Sequence, residues 1–201
     1  MPPAGADPYY EIHLFESGQV QSRPENRHDL FNALCWLVFP RTKARINAMH
    51  AAQIPHEGGR RGRLRDLLTL FDEGGALVTC SDTHLNALIR ECRWKELFWQ
   101  QRSRVRAAMR FVVLGHAVLE QALEPWPGIT CKALFVDPAL DADVQAAQWL
   151  GQLPADSSPR VLTPLPVFGY PGWLPASASA AFYDDERYFR PLQRGAEARK
   201  A

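Results

Sequence analysis

Seven side chains suited to proton transfer or metal ligation fall into two stretches of the chain. His28, Asp29, Asn32, Lys43 and Asn47 punctuate the segment from Asn26 to His50, NRHDLFNALCWLVFPRTKARINAMH, and His116 and Glu120 lie in GHAVLEQAL. Imidazoles and carboxylates are the groups that exchange protons most readily in enzymes. His28, Asp29, Asn32, Lys43 and Asn47 form the candidate catalytic set. His28, Asp29, His116 and Glu120 form a candidate metal set, with nitrogen and oxygen donors suited to zinc, manganese or iron. Such an ion lowers the pKa of its bound water and makes it a nucleophile. The polar groups of the first stretch interrupt the densest apolar run in the chain, where a polar group needs a partner or a purpose.

Each of these residues also has a purely structural reading. Asp29 can cap a helix by accepting the free amides of its first turn. Asn32 can satisfy a backbone carbonyl, and Lys43 and His50 can sit on a solvated face. His116 and Glu120, spaced i, i+4 on one helix, can simply bond each other.

The elements that must position these groups follow from periodicity. Leu30, Phe31, Leu34, Leu37 and Val38 make one apolar helical face, expected to be core. Pro40 stops that helix and suits the first turn of the next, expected from Pro40 to about Gln53. On the first helix His28, Asn32, Cys35 and Phe39 share a stripe; on the second Lys43, Asn47, His50 and Ile54 share another. A hairpin of the two helices lets the polar stripes meet. Residues 9–23, YYEIHLF and then a glycine turn, read as a β-hairpin, and LLTLF-DEGG-ALVTC reads as a second. Asp72 and Glu73 are then turn residues first and paired carboxylates second. Ser81 or Asp82 starts a helix through LNALIREC, followed by a helical WKELFWQQRSRVRAAM, the strand FVVLG, the helix HAVLEQAL and the strand ITCKALFV.

The mixed order of elements points to an α+β fold: one domain of two hairpins and several helices over residues 9–150. Residues 151–201 form a Pro-rich irregular arm packed on that core, with the last residues disordered. Its many aromatics argue against disorder elsewhere in the arm. A length of 201 residues with 46% hydrophobic and 22% charged residues fits one globular domain. The net charge of +1 singles out no partner. Four cysteines without a CxxC pair read as reduced thiols, and no signal peptide or membrane-length apolar run is visible, so the expected location is cytoplasmic with no membrane association. No GxGxxG, Walker loop, GxSxG or HExxH occurs, so no nucleotide cofactor is implied and the only cofactor in view is a divalent metal.

The stretches YEIHLFESGQV, HDLFNALCWLVFPRTKARINAMH, LTLFDEGGALV, GHAVLEQAL, PGITCKAL and PGW…FYDDERYFRP, in that order, resemble a bacterial family called domain of unknown function 3025. The likeness runs from about Tyr10 to Pro191. It implies no assigned reaction, and it implies that this chain begins late relative to members with a further segment before the YE motif.

Two functional classes emerge. The first is a metal-dependent hydrolase, with phosphodiesters as one substrate class. A hairpin followed by a helix, with His13, Asn26 and then His28, Asp29 or Asn32, loosely resembles a ββα-metal endonuclease, although a second ligand histidine is missing and Cys35 replaces a late ligand. The alternative is a non-catalytic module binding nucleic acid or protein. Arg60, Arg61, Arg63, Arg65, Arg102, Arg104, Arg106 and Arg110 offer phosphate contacts, and Trp94 and Trp99 offer stacking surfaces. The competing reading makes Trp94, Leu97 and Phe98 a core stripe and the arginines its wet side.

Overall fold

The structure, a computed structural model, describes residues 8–58 and 61–192. The chain begins with helix α1 (Pro8–Ser17), and α2 (Arg27–Val38) and α3 (Pro40–Gln53) follow. The first expected hairpin is thus a helix followed by irregular chain. The alternation of Tyr10, Ile12 and Leu14 was too short to decide the period, and tertiary burial of Leu14 decided it. This also removes the strand-first order that the ββα-metal reading needs, and His13 is an exposed helical residue.

Helix α4 (Arg63–Gly74) leads directly into strand β1 (Gly75–Cys80). The second expected hairpin is therefore a helix–strand junction. Leu64, Leu67, Leu68 and Phe71 are buried at i, i+3, i+4, i+7 spacing, so LLTLF is the last part of a helical stripe. Read alone, those five residues resemble a short buried strand. The glycines serve close approach here. A Cβ on Gly75 would lie 2.3 Å from Phe71 O, and one on Gly115 would lie 2.5 Å from Glu73 O.

The rest of the chain runs as α5 (Thr83–Arg90), a π turn (Glu96–Gln100), α6 (Arg102–Ala108), β2 (Met109–Val113), α7 (His116–Gln121), β3 (Cys131–Val136) and α8 (Ala142–Gly151). Asp82 caps α5 by accepting the amides of His84 and Leu85, as expected for that position. Trp94, Leu97 and Phe98 are buried, the core-stripe reading of that segment. The order of the sheet is β2-β1-β3-β4, with β1 antiparallel to β2 and parallel to β3. The edge strand β4 (Thr163–Leu165) pairs antiparallel with β3, a strand that the Pro-rich composition does not announce. The chain is a single α+β domain.

β1 is buried on both faces. Ala76, Val78 and Cys80 face a core shared with α5, the π turn and residues 165–189, whereas Leu77 faces a second core with α3, α4 and α8. A strand covered on both sides reads as a continuous apolar run, which is why GALVTC shows no alternation. Tyr188 OH bonds Ile129 O, Tyr170 OH bonds Met109 O, and Tyr183 OH bonds Gly169 O, so the buried tyrosines beyond residue 165 satisfy their hydroxyls. The disorder expected at the C-terminus concerns residues 193–201, outside the described residues.

Helix α2 is turned opposite to its apolar face. Leu30, Leu34, Leu37 and Val38 are exposed, Leu37 to 79%, while Asp29, Cys35 and Phe39 are buried. Polar bonds decide the rotation. Cys35 Sγ donates to Leu114 O at 3.2 Å, and Asn32 and His28 also face inward. Asp29 is not the cap of this helix. Asn26 takes that place, its side chain accepting from the Asp29 amide, because Asn26 has the extended backbone a cap requires. The Asp29 carboxylate is held by the Arg23 amide and guanidinium, each at 2.8 Å.

Two consequences are measurable by denaturant unfolding. Asn26→Ala should lower stability by about 0.5–2 kcal/mol, with Asn26→Asp retaining most of it. Leu37→Gln should change stability by less than about 0.5 kcal/mol, against roughly 3–5 kcal/mol for Phe71→Ala in the core. A large loss in Leu37→Gln would contradict the observed rotation of α2.

Candidate active site

Helix α3 presents polar residues to the interior. Thr42, Lys43, Asn47 and His50 are buried beside Ile46 on one stripe, so none of them is on a solvated face. Its N-terminus is capped from α8: the buried Asp143 carboxylate accepts the amides of Arg41 and Thr42 at 3.0 and 2.8 Å. The stripes of α2 and α3 do meet. Lys43 Nζ donates to Asn32 Oδ1 at 2.7 Å and to Asp72 Oδ1 at 2.5 Å. Lys43 is only 3% exposed, so this ion pair is an interior one.

The α4–β1 junction then brings Asp72 to α7. Gly75 O accepts the amides of Leu114 and Gly115, which holds the start of α7 against the end of α4. His116 Nδ1 lies 2.9 Å from Asp72 O and 3.5 Å from Asp72 Oδ2. His116 Nε2 faces His28 Nε2 at 3.1 Å, and His28 Nδ1 faces Glu120 Oε2 at 3.2 Å. The two rings meet edge to face. Beside them opens a cavity of about 500 Å³, lined among others by Glu11, His28, Asp29, Asn32, His50, Asp72, Glu73 and His116. Lys43 and Asn47 border a smaller pocket next to it.

Protons in the ring pair can be counted. Asp72 O can only accept, so His116 Nδ1 carries a proton. The Nε2–Nε2 bond needs one proton. Burial pushes His116 down to about 4, which keeps its ring neutral. With its proton on Nδ1, a neutral His116 leaves Nε2 to accept from His28 Nε2, and His28 and Glu120 form the more exposed end of the chain of contacts.

The carboxylates are driven apart. Burial acts to raise Asp72, but the Lys43 ammonium outweighs it and holds it below the usual range. Burial and the neighbouring Asp72 push Glu73 up. Burial also pushes Glu11 up, although Asn47 donates to it at 2.6 Å. Adjacent carboxylates with opposite shifts are the pattern of an acid–base site.

The structure gathers His28, Asn32, Lys43, Asn47 and His116 into one network region, with Glu120 behind His28. Asp29 lines the cavity but is tied to Arg23, whose bonds hold it below the usual carboxylate range. His28, Asp29, His116 and Glu120 do not form a common shell. Glu120 is on the far nitrogen of His28 from His116, and among the described residues no three His, Cys, Asp or Glu are grouped to hold a metal. Tyr10 and Glu11 escaped the sequence reading as site residues, while His50 was read as a stripe residue and Arg65 only as a phosphate contact. Asp72 and Glu73 carried a signal as neighbouring carboxylates, which the hairpin assignment absorbed. The arginines are dispersed in role: Arg65 is buried between His50 and Glu57, Arg61 donates to Thr69, Arg102 lies over Trp99, and Arg104 pairs with Asp82. Arg63, Arg106 and Arg110 are exposed, and Arg60 lies outside the described residues.

His50 and His116 set a pH dependence. Burial pushes each to about 4. Between about 4 and the ordinary value of 6.5 the unfolded chain binds more protons than the folded one, so stability rises with pH there and is lost as pH falls. The loss should reach roughly 2–3 kcal/mol per histidine by pH 4. Urea midpoints from pH 4 to 8 measure it, and His50→Gln should flatten the slope. A midpoint that does not fall below pH 6.5 would contradict the burial of neutral rings.

No curated protein and no solved structure matches the chain. All four cysteines are free, and among the described residues no helix is long and apolar enough to cross a membrane. The model of the family described as "Protein of unknown function (DUF3025)" matches residues 2–193, which takes in both central helices, the α4–β1 junction and α7, and the chain belongs to that family.

Proposed function

We propose that the cavity is the active site of a hydrolase working by acid–base chemistry, with His28 and His116 as its proton-handling pair. The observation that carries this reading is the unbroken Glu120–His28–His116–Asp72 chain of close contacts beside the cavity. A proton held at the half-exposed end of a buried relay is available to a leaving group. Glu73 and Glu11, raised by burial, are acceptors suited to taking a proton from water. Hydrolysis needs only these parts. Water adds its hydroxyl to the electrophilic atom and gives a proton to a carboxylate, the scissile bond breaks, and His28 supplies the proton for the departing group. The Lys43–Asp72 pair fixes the position of His116 and takes no proton itself.

The test is turnover of p-nitrophenyl acetate, with His84→Gln, an exposed histidine elsewhere, as baseline. His28→Gln should lower kcat by about 10²–10⁴-fold with a small change in melting temperature. His116→Gln should do the same, and ring spectra should show the wild-type His116 proton on Nδ1 and a proton on His28 Nε2. Turnover unchanged in both variants sinks the proposal. Stoichiometric divalent metal in purified protein, lost on His116→Gln, would place an ion between the two rings instead of their shared proton and overturn the proton reading.

A further inference from the structure

Beyond the proton relay, a third histidine in the same cavity has its ring proton directed by its neighbours. Arg65 Nε donates to His50 Nδ1 at 3.1 Å. A guanidinium nitrogen can only donate, so Nδ1 is the acceptor and the ring proton sits on Nε2. Arg65 is buried and cannot turn away, because its other branch donates to Glu57 Oε2 at 2.8 Å. Glu57 is pinned in turn by the Gly62 amide at 2.8 Å. Burial, then the Arg65 charge, pushes His50 down to about 4, in keeping with a single ring proton.

His50 is 2% exposed and lines the cavity, and among the described residues Nε2 has no hydrogen-bond partner. It is not sealed in protein, since among the described residues Asn86 Oδ1 is the only fully enclosed side-chain polar atom that lacks a partner. An oriented donor, rigid on its far side and open on its near side, is built for an acceptor that arrives in the cavity. The charges of the wall narrow that acceptor. Asp29 and Asp72 in the wall are paired with Arg23 and Lys43, which leaves Glu11 and Glu73 as the carboxyl groups without an ion-pair partner among the described residues. An anionic substrate meets carboxylates and no unengaged guanidinium, so an uncharged oxygen acceptor fits better.

We infer that His50 presents its Nε2–H to the carbonyl oxygen of an uncharged carboxylic ester or amide in this cavity, with Arg65 as a positioning residue. The inference rests on the hydrolytic reading above and names its substrate class. As the carbonyl carbon is attacked, negative charge develops on its oxygen, and a fixed N–H donor stabilises that charge without reorganising.

Turnover of p-nitrophenyl acetate and of bis(p-nitrophenyl) phosphate by the full chain tests this, together with two-bond proton–nitrogen spectra of the histidine rings. The ester should be turned over in preference to the phosphodiester. His50→Phe, which keeps ring bulk and loses the donor, should lower kcat on the ester about 10²-fold or more. His50→Gln, which keeps an N–H donor, should recover most of that loss. The spectra should show His50 with its single proton on Nε2 from pH 5.5 to 8. His50→Phe with wild-type turnover, while His28→Gln loses it, overturns the role of His50 and leaves the hydrolytic reading standing. A proton on Nδ1 of His50 at pH 7 does the same. Preference for the phosphodiester overturns the substrate class. Turnover of neither probe removes the hydrolytic reading and this inference with it.

Discussion

The interior ion pair between Lys43 and Asp72 is the constraint around which the rest is arranged. A buried ammonium without a partner costs several kcal/mol, so α3 and α4 can pack only in the register that joins these two groups. The same ammonium donates to Asn32, which adds α2 to the junction. Asp72 then contributes a backbone carbonyl and a carboxylate oxygen to one edge of His116, and so orients that ring toward His28. One buried charge thus links four helices and aims a catalytic-type side chain.

Close backbone approach makes this geometry possible. At Gly115 the start of α7 comes nearer to Glu73 and Gly74 at the end of α4 than any side chain would allow. The sheet behind them is covered on both faces and gives the junction a rigid floor. Helix α2 is rotated so that its polar stripe completes the network, and its leucines are left at the surface. Four bonded polar groups on the inner side outweigh the burial of Leu30, Leu34 and Leu37, because an unpaired polar group in the interior costs as much as a leucine gains there.

The chemistry of the cavity comes from neighbours that have no choice of role. A carbonyl oxygen can only accept, and it dictates the tautomer of His116. A guanidinium nitrogen can only donate, and it dictates that of His50. On the reading proposed above, His28 is the acid, the raised Glu73 and Glu11 are the acceptors and His50 is the donor. That reading is preferred to a nucleic-acid-binding face because several arginines named for such a face are engaged elsewhere.

Much of this was legible in the sequence where local rules suffice. The proline at position 40 marked the start of α3, Ser81 or Asp82 marked the cap of α5, and helical spacing placed Asn32 and Lys43 on stripes able to meet. The mixed order of elements already implied an α+β domain. The rest needed the folded chain. Residues 9–15 and 67–71 are too short for period 2 and period 3.6 to be told apart, and burial of Leu14 and Phe71 settled them as helices. Which face of α2 points inward depended on partners 79 to 88 residues away, Leu114 and His116. The tautomers of His50 and His116, and the shifts of Asp72 and Glu73, depend on which atoms approach within a few ångströms. Sequence determines which groups are present and how they are spaced along a helix; only packing determines which donor meets which acceptor, and that meeting sets where the protons lie.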